Sequence, residues 1–295
     1  MYTILITGKN GQVGWELVRT LAPLGRIIAI DVEDVDLTRP DNIRSFVRDI
    51  PDLHLIVNPA AYTNVDAAED VPELAKQINA DAPAVLAEES NRLGIPIIHY
   101  STDYVFDGTK ETSYFETDPT GPLGVYGQTK LEGELAVCSI NPKHFVFRLC
   151  WVYGARGKNF FLTMLRLAKQ NTVPKVVCDQ FGSPTWSRMI AEATALIAAK
   201  VLDQPDRDDW GIYHLSAGGL TNWHAFATEI FRWANVRYGL SNLEPLAIPG
   251  SEYPTRARRP NFSHLSVEKL ATTFGVRLPD WKEQIKLVCN DNFEV

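Results

Sequence analysis

The sequence predicts an α/β fold with a doubly wound parallel sheet and a smaller mixed α/β lobe. Through the first half of the chain, short runs of β-branched residues alternate with helical stretches. This order implies parallel strands joined by right-handed crossovers. One run is apolar at every position, as in strands that helices cover on both faces. After about Trp151 the alternation ends, and helical stretches stand between long segments rich in Pro, Gly and charge.

The elements of the first half follow from this pattern and from local start and stop signals. Strands are predicted over residues 3–7, 27–30, 53–57, 95–100 and 145–149. Helices are predicted over residues 11–24, 40–50, 72–79 and 82–93, and from residue 126 towards residue 137. Thr38 is expected to cap the second helix and Gly94 to end the fourth. Residues 1–150 form the first predicted domain.

Residues 151–295 are predicted to form mainly a second lobe. Helices are expected over residues 160–170, 188–200 and 222–234, with connecting segments over residues 203–211 and 246–260. A strand over residues 212–215 is expected to return to the first domain.

The composition is that of a globular protein and excludes some classes of function. The chain has 295 residues, of which 45% are hydrophobic and 22% charged, ordinary proportions for such a protein. A net charge of −7 argues against a surface that coats nucleic acid. No apolar run reaches the ~18 residues that span a bilayer, and no basic signal-peptide region precedes the first strand. The four cysteines are far apart, which predicts reduced thiols in a cytoplasmic protein.

A glycine-rich turn joins the first strand to the first helix. Gly8, Gly11 and Gly14 are spaced three apart, which suits a tight turn, close approach of a pyrophosphate and close packing of helix on strand. The N–H groups at the helix start then face the phosphates, and the helix dipole favours negative charge there. Glycines also serve turns for conformational reasons alone, but this position predicts a Rossmann-type domain that binds a dinucleotide.

Asp31 ends the second strand and strengthens this prediction. It follows Gly14 by seventeen residues, close to the ~20 expected for a carboxylate that binds the adenosine ribose. A carboxylate there repels a 2′-phosphate and favours NADH, but Lys9 partly offsets the repulsion, so use of NADPH stays open. Asp36 and Leu37 are expected beside the adenine. The residues expected along the dinucleotide after the third strand are Ala60, Ala61, Tyr62 and Thr63.

Tyr126 and Lys130 are the candidate catalytic pair. They lie four residues apart at a helix start, and such a pair shares one helical face. Because a tyrosine titrates near ~10, a neighbouring cation is expected to lower the proton affinity of the phenol. Thr102 ends the fourth strand, at the edge where open α/β sheets bind ligands. It is expected to hydrogen-bond a substrate oxygen beside Tyr126, the alternative being a threonine that caps a turn.

Three motifs together resemble the extended short-chain dehydrogenase/reductase family. They are Thr-Gly-x-x-Gly-x-x-Gly from residue 7, Ser-Thr-Asp-Tyr-Val-Phe from residue 101 and Tyr-x-x-x-Lys from residue 126. The resemblance implies that Tyr126 donates a proton, that Lys130 binds the nicotinamide ribose and that Thr102 tunes the tyrosine. The implied dinucleotide contacts are Gly11, Gln12, Val13, Asp31, Asp36, Leu37, Ala61, Tyr62 and Thr63. The implied substrate contacts are Thr102, Asp103 and Trp151.

Segments at residues 8–17, 148–153, 179–185 and 253–260 resemble one branch of that family, which acts on a dTDP-linked sugar. This resemblance implies NADH- or NADPH-dependent reduction of the C4 ketone of dTDP-4-dehydro-L-rhamnose. Arg256, Arg258 and Arg259 are candidates for the substrate diphosphate, because guanidinium groups match phosphate geometry. A solvated loop paired with nearby acids is the alternative for these arginines.

The sequence disfavours one alternative to this reduction and leaves others open. A nucleotide-sugar 4,6-dehydratase is disfavoured, because such enzymes usually carry Asp-Glu after the strand-end threonine, whereas Tyr104 follows Asp103 here. Another nucleotide-sugar 4-ketoreductase and an epimerase stay open. So does a non-catalytic regulatory subunit that binds a dinucleotide, although such subunits usually lose the tyrosine or the lysine.

The resemblance also bears on metal binding and assembly. Some family members dimerise around a magnesium ion held by glutamates. Glu16 stands at one such position and Asp291 near another, but Arg188 stands where the third acid is expected. A cation there opposes a divalent metal, so no magnesium site is predicted. A homodimer stays open.

Overall fold

The central element of the protein is a six-stranded parallel sheet. The computed structural model describes residues 1–204, 206–240 and 243–290. Six strands stand side by side in the order β10-β5-β4-β3-β1-β2, and every neighbouring pair is parallel. The remaining strands form three two-stranded pairs, β11-β8, β12-β7 and β6-β9. The strands are, in chain order, β1 (Tyr2–Ile6), β2 (Gly25–Ala29), β3 (Leu55–Asn58), β4 (Ile97–Thr102), β5 (His144–Leu149), β6 (Val152–Tyr153), β7 (Lys175–Val177), β8 (Phe181–Gly182), β9 (Thr185–Trp186), β10 (Gly211–His214), β11 (Thr221–Asn222) and β12 (Leu246–Ile248).

Helices cover both faces of the sheet, as the apolar strands require. Leu17 on α1, Ile190 on α8 and Phe274 on α10 pack on one face, and Val47 on α2 and Leu86 on α5 pack on the other. The helices are α1 (Gln12–Thr20), α2 (Pro40–Arg48), α3 (Val65–Ala68), α4 (Pro72–Lys76), α5 (Ala82–Leu93), α6 (Val125–Ile140), α7 (Phe160–Lys169), α8 (Ser187–Asp203), α9 (Trp223–Tyr238), α10 (Glu268–Phe274) and α11 (Trp281–Asn290).

A second apolar cluster lies outside the sheet. Phe161 on α7, Phe231 on α9 and Ile285 on α11 meet there, and Trp186 of β9 packs among them. The side chains of this cluster are almost wholly buried, so the three helices form a lobe with its own core.

The predicted fold class is confirmed, and so is the strand predicted over residues 212–215. That strand is β10, which pairs in parallel with β5 at one edge of the sheet. One local prediction is wrong. Thr38 does not cap α2: Arg39 is the N-cap residue, and the Thr38 hydroxyl donates to Asp36 Oδ1 at 2.7 Å. The helix predicted over residues 82–93 is confirmed as α5. The helix predicted over residues 72–79 is α4, which ends at Lys76 and continues into α5 through a π turn, Gln77–Asp81.

The structure also bears on membrane insertion and on the state of the cysteines. Within the described residues, no helix combines the length and the apolarity that a membrane crossing requires. The thiols of Cys138, Cys150, Cys178 and Cys289 are all free, and Cys150 and Cys289 are buried.

Candidate active site

A cleft of about 750 Å³ opens beyond the carboxyl ends of the central strands. Ligands of open α/β sheets bind at this edge. Of the site residues named from the sequence, Tyr62, Arg256 and Arg258 do not line the cleft. Those that do line it are Gly8, Gly11, Gln12, Val13, Gly14, Asp31, Asp36, Leu37, Ala60, Ala61, Thr63, Thr102, Asp103, Tyr126, Lys130, Trp151 and Arg259.

The glycine turn forms a cradle that no larger residue could form. Gly8 has φ +60°, and a Cβ there would lie 2.9 Å from Ala60 Cα. A Cβ on Gly14 would lie 2.0 Å from the Gly8 carbonyl oxygen. Gly11 is the N-cap of α1, and no side chain caps its N–H groups. Free N–H groups at a helix start bind phosphate, so this cradle suits the pyrophosphate of a dinucleotide.

The end of β2 is more acidic than the sequence alone suggested. Asp31 Oδ2 accepts a hydrogen bond from the Asn10 backbone N–H at 2.9 Å, which holds the carboxylate at the turn. Lys9 Nζ bonds to Asp34 and lies 3.4 Å from Glu33. The Lys9 ammonium is thus already neutralised by two carboxylates, which reduces its capacity to offset repulsion of a 2′-phosphate.

Tyr126 and Thr102 meet in the cleft, with Asp103 beside them. Burial raises the pKa of the Tyr126 phenol to about 12, hydrogen bonding with Thr102 acts in the opposite direction, and the charge of Asp103 raises it further. Thr102 Oγ1 donates to Asp103 Oδ1 at 3.0 Å and accepts from the Tyr104 N–H at 3.2 Å. Thr102 thus caps the following turn, while its hydrogen bond to a substrate oxygen stays a prediction.

Lys130 lies one turn after Tyr126 and is 2% exposed. Its Nζ donates to the Tyr100 carbonyl oxygen at 2.6 Å. Burial lowers the pKa of Lys130 to about 7, and the charge of Glu134 opposes that shift. The sequence predicted that this ammonium would lower the pKa of the phenol. The charge of Lys130 is not among the causes that shift the pKa of the Tyr126 phenol here, so its effect on the phenol stays a prediction.

Glu134 itself belongs to an ion pair beneath the site. Arg148 on β5 donates to it from Nε at 3.0 Å, and a second guanidinium nitrogen also contacts the carboxylate. The Arg148 and Glu134 side chains are 3% and 1% exposed. The pair therefore ties α6, which carries Tyr126 and Lys130, to strand β5 of the sheet.

A side chain at the end of another helix, α3, caps the N-terminus of α6. Gly124 is the N-cap of α6 and brings no side chain to cap it. Glu69 Oε1 accepts from the Val125 N–H at 2.8 Å instead. A carboxylate at a helix start satisfies an unpaired donor and complements the helix dipole, so Glu69 stabilises the turn from which Tyr126 projects.

The arginines named from the sequence separate in space. Arg256 is exposed and forms an ion pair with Asp70. Arg259 lines the cleft, donates to Asp66 at 3.0 Å, and has a buried Nε without a hydrogen-bond partner in the described part of the chain. Arg258 lines a second cavity of about 560 Å³, which Arg259 also borders. Of the three, Arg259 is the arginine that faces the cleft.

Trp151 lines the cleft in a strained conformation. Its φ is +44°, which is rare for a bulky residue and typical of functional sites. The ring stacks on Trp223 with centroids 3.7 Å apart and 10° between the planes. Sequence reasoning missed Trp223, and it also missed Asn159, whose Nδ2 donates to Gln12 Oε1 at 2.9 Å. Asn159 thereby joins α7 to the glycine turn. No sequence motif marks these residues, because their contacts span distant segments.

The positions considered for magnesium hold an ion pair. Arg188 Nε lies 3.3 Å from Glu16 Oε2, and Asp291 lies outside the described residues. Within the described ranges, no three His, Cys, Asp or Glu side chains cluster so as to hold a metal. That the protein has no metal site stays a prediction.

Comparison with known proteins gives concordant matches over the whole chain. The family model described as RmlD substrate binding domain matches residues 2–293. A dTDP-4-dehydrorhamnose reductase from Burkholderia thailandensis is 48% identical over 98% of both chains. The crystal structure of a dTDP-4-dehydrorhamnose reductase from Clostridium acetobutylicum has a TM-score of 0.88 and 37% identity, covering 97% of this chain and 98% of that one. The enzyme of that name from Bacillus anthracis, in complex with NADP, has a TM-score of 0.88 and 33% identity, covering 98% and 99%.

Proposed function

The chain belongs to the RmlD substrate binding domain family, and from that premise we propose that it is a dTDP-4-dehydrorhamnose reductase. It would reduce the C4 ketone of dTDP-4-dehydro-L-rhamnose with NADH or NADPH. The observation that carries the proposal is the convergence of Tyr126, Lys130 and Thr102 in one cleft with the glycine cradle. Relatives with this name match almost the full length of the chain, which supports the same substrate.

The cradle fits a dinucleotide. Gly8 and Gly14 leave room where a Cβ would clash with backbone, and the N–H groups at the start of α1 lack a side-chain cap. Asp31 lies at the end of β2, where the adenosine ribose is expected. When bound, the dinucleotide supplies the hydride that reduces the carbonyl carbon. The NADP complex of the Bacillus anthracis relative supports NADPH, whereas the acids around Lys9 favour NADH, and we propose that both are used.

Tyr126 is the proposed proton donor. Its side chain is half-buried and lines the cleft, where it would protonate the carbonyl oxygen of the bound substrate. Because burial raises its pKa to about 12, the phenol is fully protonated at neutral pH, and the donor is in the required state before each turnover. Positioned donors of this kind typically contribute 10²–10⁴-fold to a rate.

Lys130 and Thr102 support the phenol in different ways. The buried Lys130 ammonium would hold the nicotinamide ribose, and its positive charge would stabilise the negative charge that develops on the phenol oxygen. Thr102 lines the same cleft as the phenol and would hydrogen-bond the substrate oxygen. Asp103, Trp151 and Arg259 line the cleft. Asp103 and Trp151 are the proposed contacts to the sugar, and Arg259 is the proposed contact to the substrate diphosphate.

Substrate comparison tests the proposed function. Oxidation of NADH and of NADPH is followed by absorbance with dTDP-4-dehydro-L-rhamnose and with the GDP- and UDP-linked 4-keto sugars. We expect turnover with both dinucleotides and preference for the dTDP sugar. Equal rates with all three sugars would remove the thymidine nucleotide from the proposal. An epimerase would convert the sugar without net loss of NADH.

A single hydroxyl deletion tests the proton donor. Tyr126→Phe should reduce kcat by roughly 10²–10⁴-fold while dinucleotide binding, measured by fluorescence titration, changes little. Tyr104→Phe is the matched control, because the Tyr104 ring packs edge-on against Tyr126 at 5.6 Å. Undiminished ketone reduction by Tyr126→Phe would exclude this phenol as the donor.

A further inference from the structure

The indole ring of Trp151 is enclosed on both faces, by Trp223 on one and Gly182 on the other. We propose that these two residues fix the ring edge-on in the cleft, so that its edge, and not its face, contacts the substrate sugar. Trp223 and Gly182 are thus positioning residues, since they act on the substrate through Trp151. This inference rests on the proposed function, in which Trp151 contacts the sugar.

Trp223 covers one face of the ring. The centroids of the two rings are 3.7 Å apart, and their planes differ by 10°, so the rings overlap face to face. This separation is already the contact distance of carbon atoms, and no ligand group fits between the two planes. Phe160 of α7 packs against Trp223 with centroids 4.7 Å apart, which supports the stack from within the lobe.

Gly182 lies against the opposite face. A Cβ on Gly182 would be 2.6 Å from Trp151 Cε2 and 2.9 Å from both Cζ2 and Nε1. Cε2 is bonded to the other two atoms. A point in the plane of the ring and outside it would be closer to those outer atoms than to Cε2, so this point lies above the plane. Since Trp223 occupies one face, Gly182 occupies the other.

The groups that enclose the ring belong to one unit. Gly182 of β8 pairs with Thr221 of β11, and Trp223 begins the helix that follows. The backbone of Trp151 is fixed as well, because its carbonyl oxygen accepts from the Thr185 N–H at 3.2 Å. A residue with the strained φ of Trp151, +44°, persists only where its surroundings hold it. The ring is therefore in position before a substrate binds.

The ring edge is what Trp151 offers to a ligand. Trp151 is half-buried and lines the cleft, although both of its faces are covered. The edge of an aromatic ring carries positive partial charge, and the edge of an indole also carries an N–H donor. It therefore suits the oxygen atoms of a sugar. Gly182, in the segment at residues 179–185 singled out from the sequence, is needed because any Cβ there would displace the ring.

Two ligands separate the sugar from the rest of the nucleotide in a calorimetric titration. Trp223→Leu removes the stack, so we expect the Kd for dTDP-L-rhamnose, the product of the proposed reaction, to rise roughly tenfold. The Kd for dTDP and the Kd for NADPH should stay unchanged. Trp223→Phe keeps an aromatic face beside Trp151 and should recover most of the affinity for the sugar.

A change on the opposite face shows whether the effect passes through Trp151. Trp223 lines the cleft itself, whereas Gly182 is buried and is not among the described residues that line it. Gly182→Ala should therefore cause the same selective loss of dTDP-L-rhamnose affinity. Gly218→Ala is its control, because the nearest atom to a Cβ there is 3.5 Å away.

Trp233→Leu is the matched control for Trp223→Leu. Trp233 lies on the same helix and packs on the core of the lobe, so this change tests a structural role alone. It should leave the Kd for dTDP-L-rhamnose unchanged even where it lowers Tm. An equal rise of that Kd in Trp233→Leu would overturn the inference, and so would an unchanged Kd in Gly182→Ala.

The contact with the ring face makes the opposite prediction. If the sugar packed on that face, Trp223→Leu would uncover it, and the Kd for dTDP-L-rhamnose would stay the same or fall. That result, or a loss of affinity shared equally by dTDP, would overturn the edge-on contact alone, because these measurements do not depend on turnover. No NADH or NADPH oxidation by the parent chain with dTDP-4-dehydro-L-rhamnose would instead overturn the proposed function.

Discussion

Replacement of Glu134 by Gln should destabilise the protein strongly, because it leaves the buried Arg148 guanidinium without its counterion. The two side chains are 1% and 3% exposed, so solvent cannot replace the carboxylate. Loss of one partner of such a pair typically costs about 3–5 kcal/mol. With a urea slope of about 2 kcal/mol per molar, we expect the unfolding midpoint to fall by roughly 1.5–2.5 M.

An exposed ion pair provides the matched control. Glu88 contacts Arg44 at 2.8 Å, but these side chains are 47% and 31% exposed. The same change, Glu88→Gln, should cost less than about 1 kcal/mol. Both variants are unfolded in urea and followed by circular dichroism at pH 7.5. If Glu134→Gln costs no more than Glu88→Gln, burial of the pair is not what stabilises this part of the structure.

The same variant also tests an electrostatic effect on the catalytic helix. The charge of Glu134 raises the pKa of Lys130 against the lowering by burial. Glu134→Gln should therefore move the Lys130 pKa below about 7. Because the charged form of Lys130 is the one proposed to act, turnover should decline as pH rises through this pKa, and the decline should begin at lower pH in the variant. A titration profile identical to that of the parent would refute this coupling even if stability changed as expected.

Three further changes have defined outcomes. Gly14→Ala would place a Cβ 2.0 Å from a backbone oxygen, so we expect the Kd for NADPH, measured by fluorescence titration, to rise at least roughly tenfold. Gly218→Ala is the control, because the nearest atom to a Cβ there is 3.5 Å away, and it should leave the Kd unchanged. Asn159→Ala should lower the free energy of unfolding by roughly 1–2 kcal/mol, because Asn159 Oδ1 caps α7 and Nδ2 donates to Gln12. Asn159→Asp keeps the cap, so it should recover part of this loss when thermal unfolding is measured. Burial lowers the pKa of Lys130 to about 7 in the folded protein, whereas its ordinary value, expected in the unfolded chain, is 10.5. Between these pH values the unfolded chain binds more protons than the folded protein, so the free energy of unfolding contributed by Lys130 rises with pH. In Lys130→Met the rise in Tm between pH 7 and pH 9 should be smaller than in the parent; an equal rise would place the titration elsewhere.

The central sheet could be predicted because its signals are local. Each strand is a short apolar run, and the glycine spacing after β1 marks a turn that only glycine can form. The strand over residues 212–215 was also recognisable from its own composition, although its partner β5 lies far away in the sequence. Local chemistry was misleading at Thr38, because its hydroxyl bonds Asp36 within the same turn rather than the start of α2.

The lobe and the walls of the cleft were harder to predict, since distant segments meet there. Helices α10 and α11 were not predicted, because their tertiary contacts identify them better than their local sequence does. Phe274 of α10 packs on the sheet, and Ile285 of α11 packs on the core of the lobe. The stack of Trp151 on Trp223 joins residues far apart in the chain. The spacing of Tyr126 and Lys130 indicated one shared face, but it carried no information on how burial shifts either pKa.

Since β10 closes one edge of the sheet beside β5, a nascent chain cannot complete its sheet until residue 214 has left the ribosome. Until then the backbone of residues 145–148 offers unpaired donors and acceptors, and open strand edges of this kind promote aggregation. A proteolytic fragment or hybrid that ends near residue 150 would carry the same exposed edge. Any transplant of the cofactor-binding half into another protein must therefore include residues 211–214.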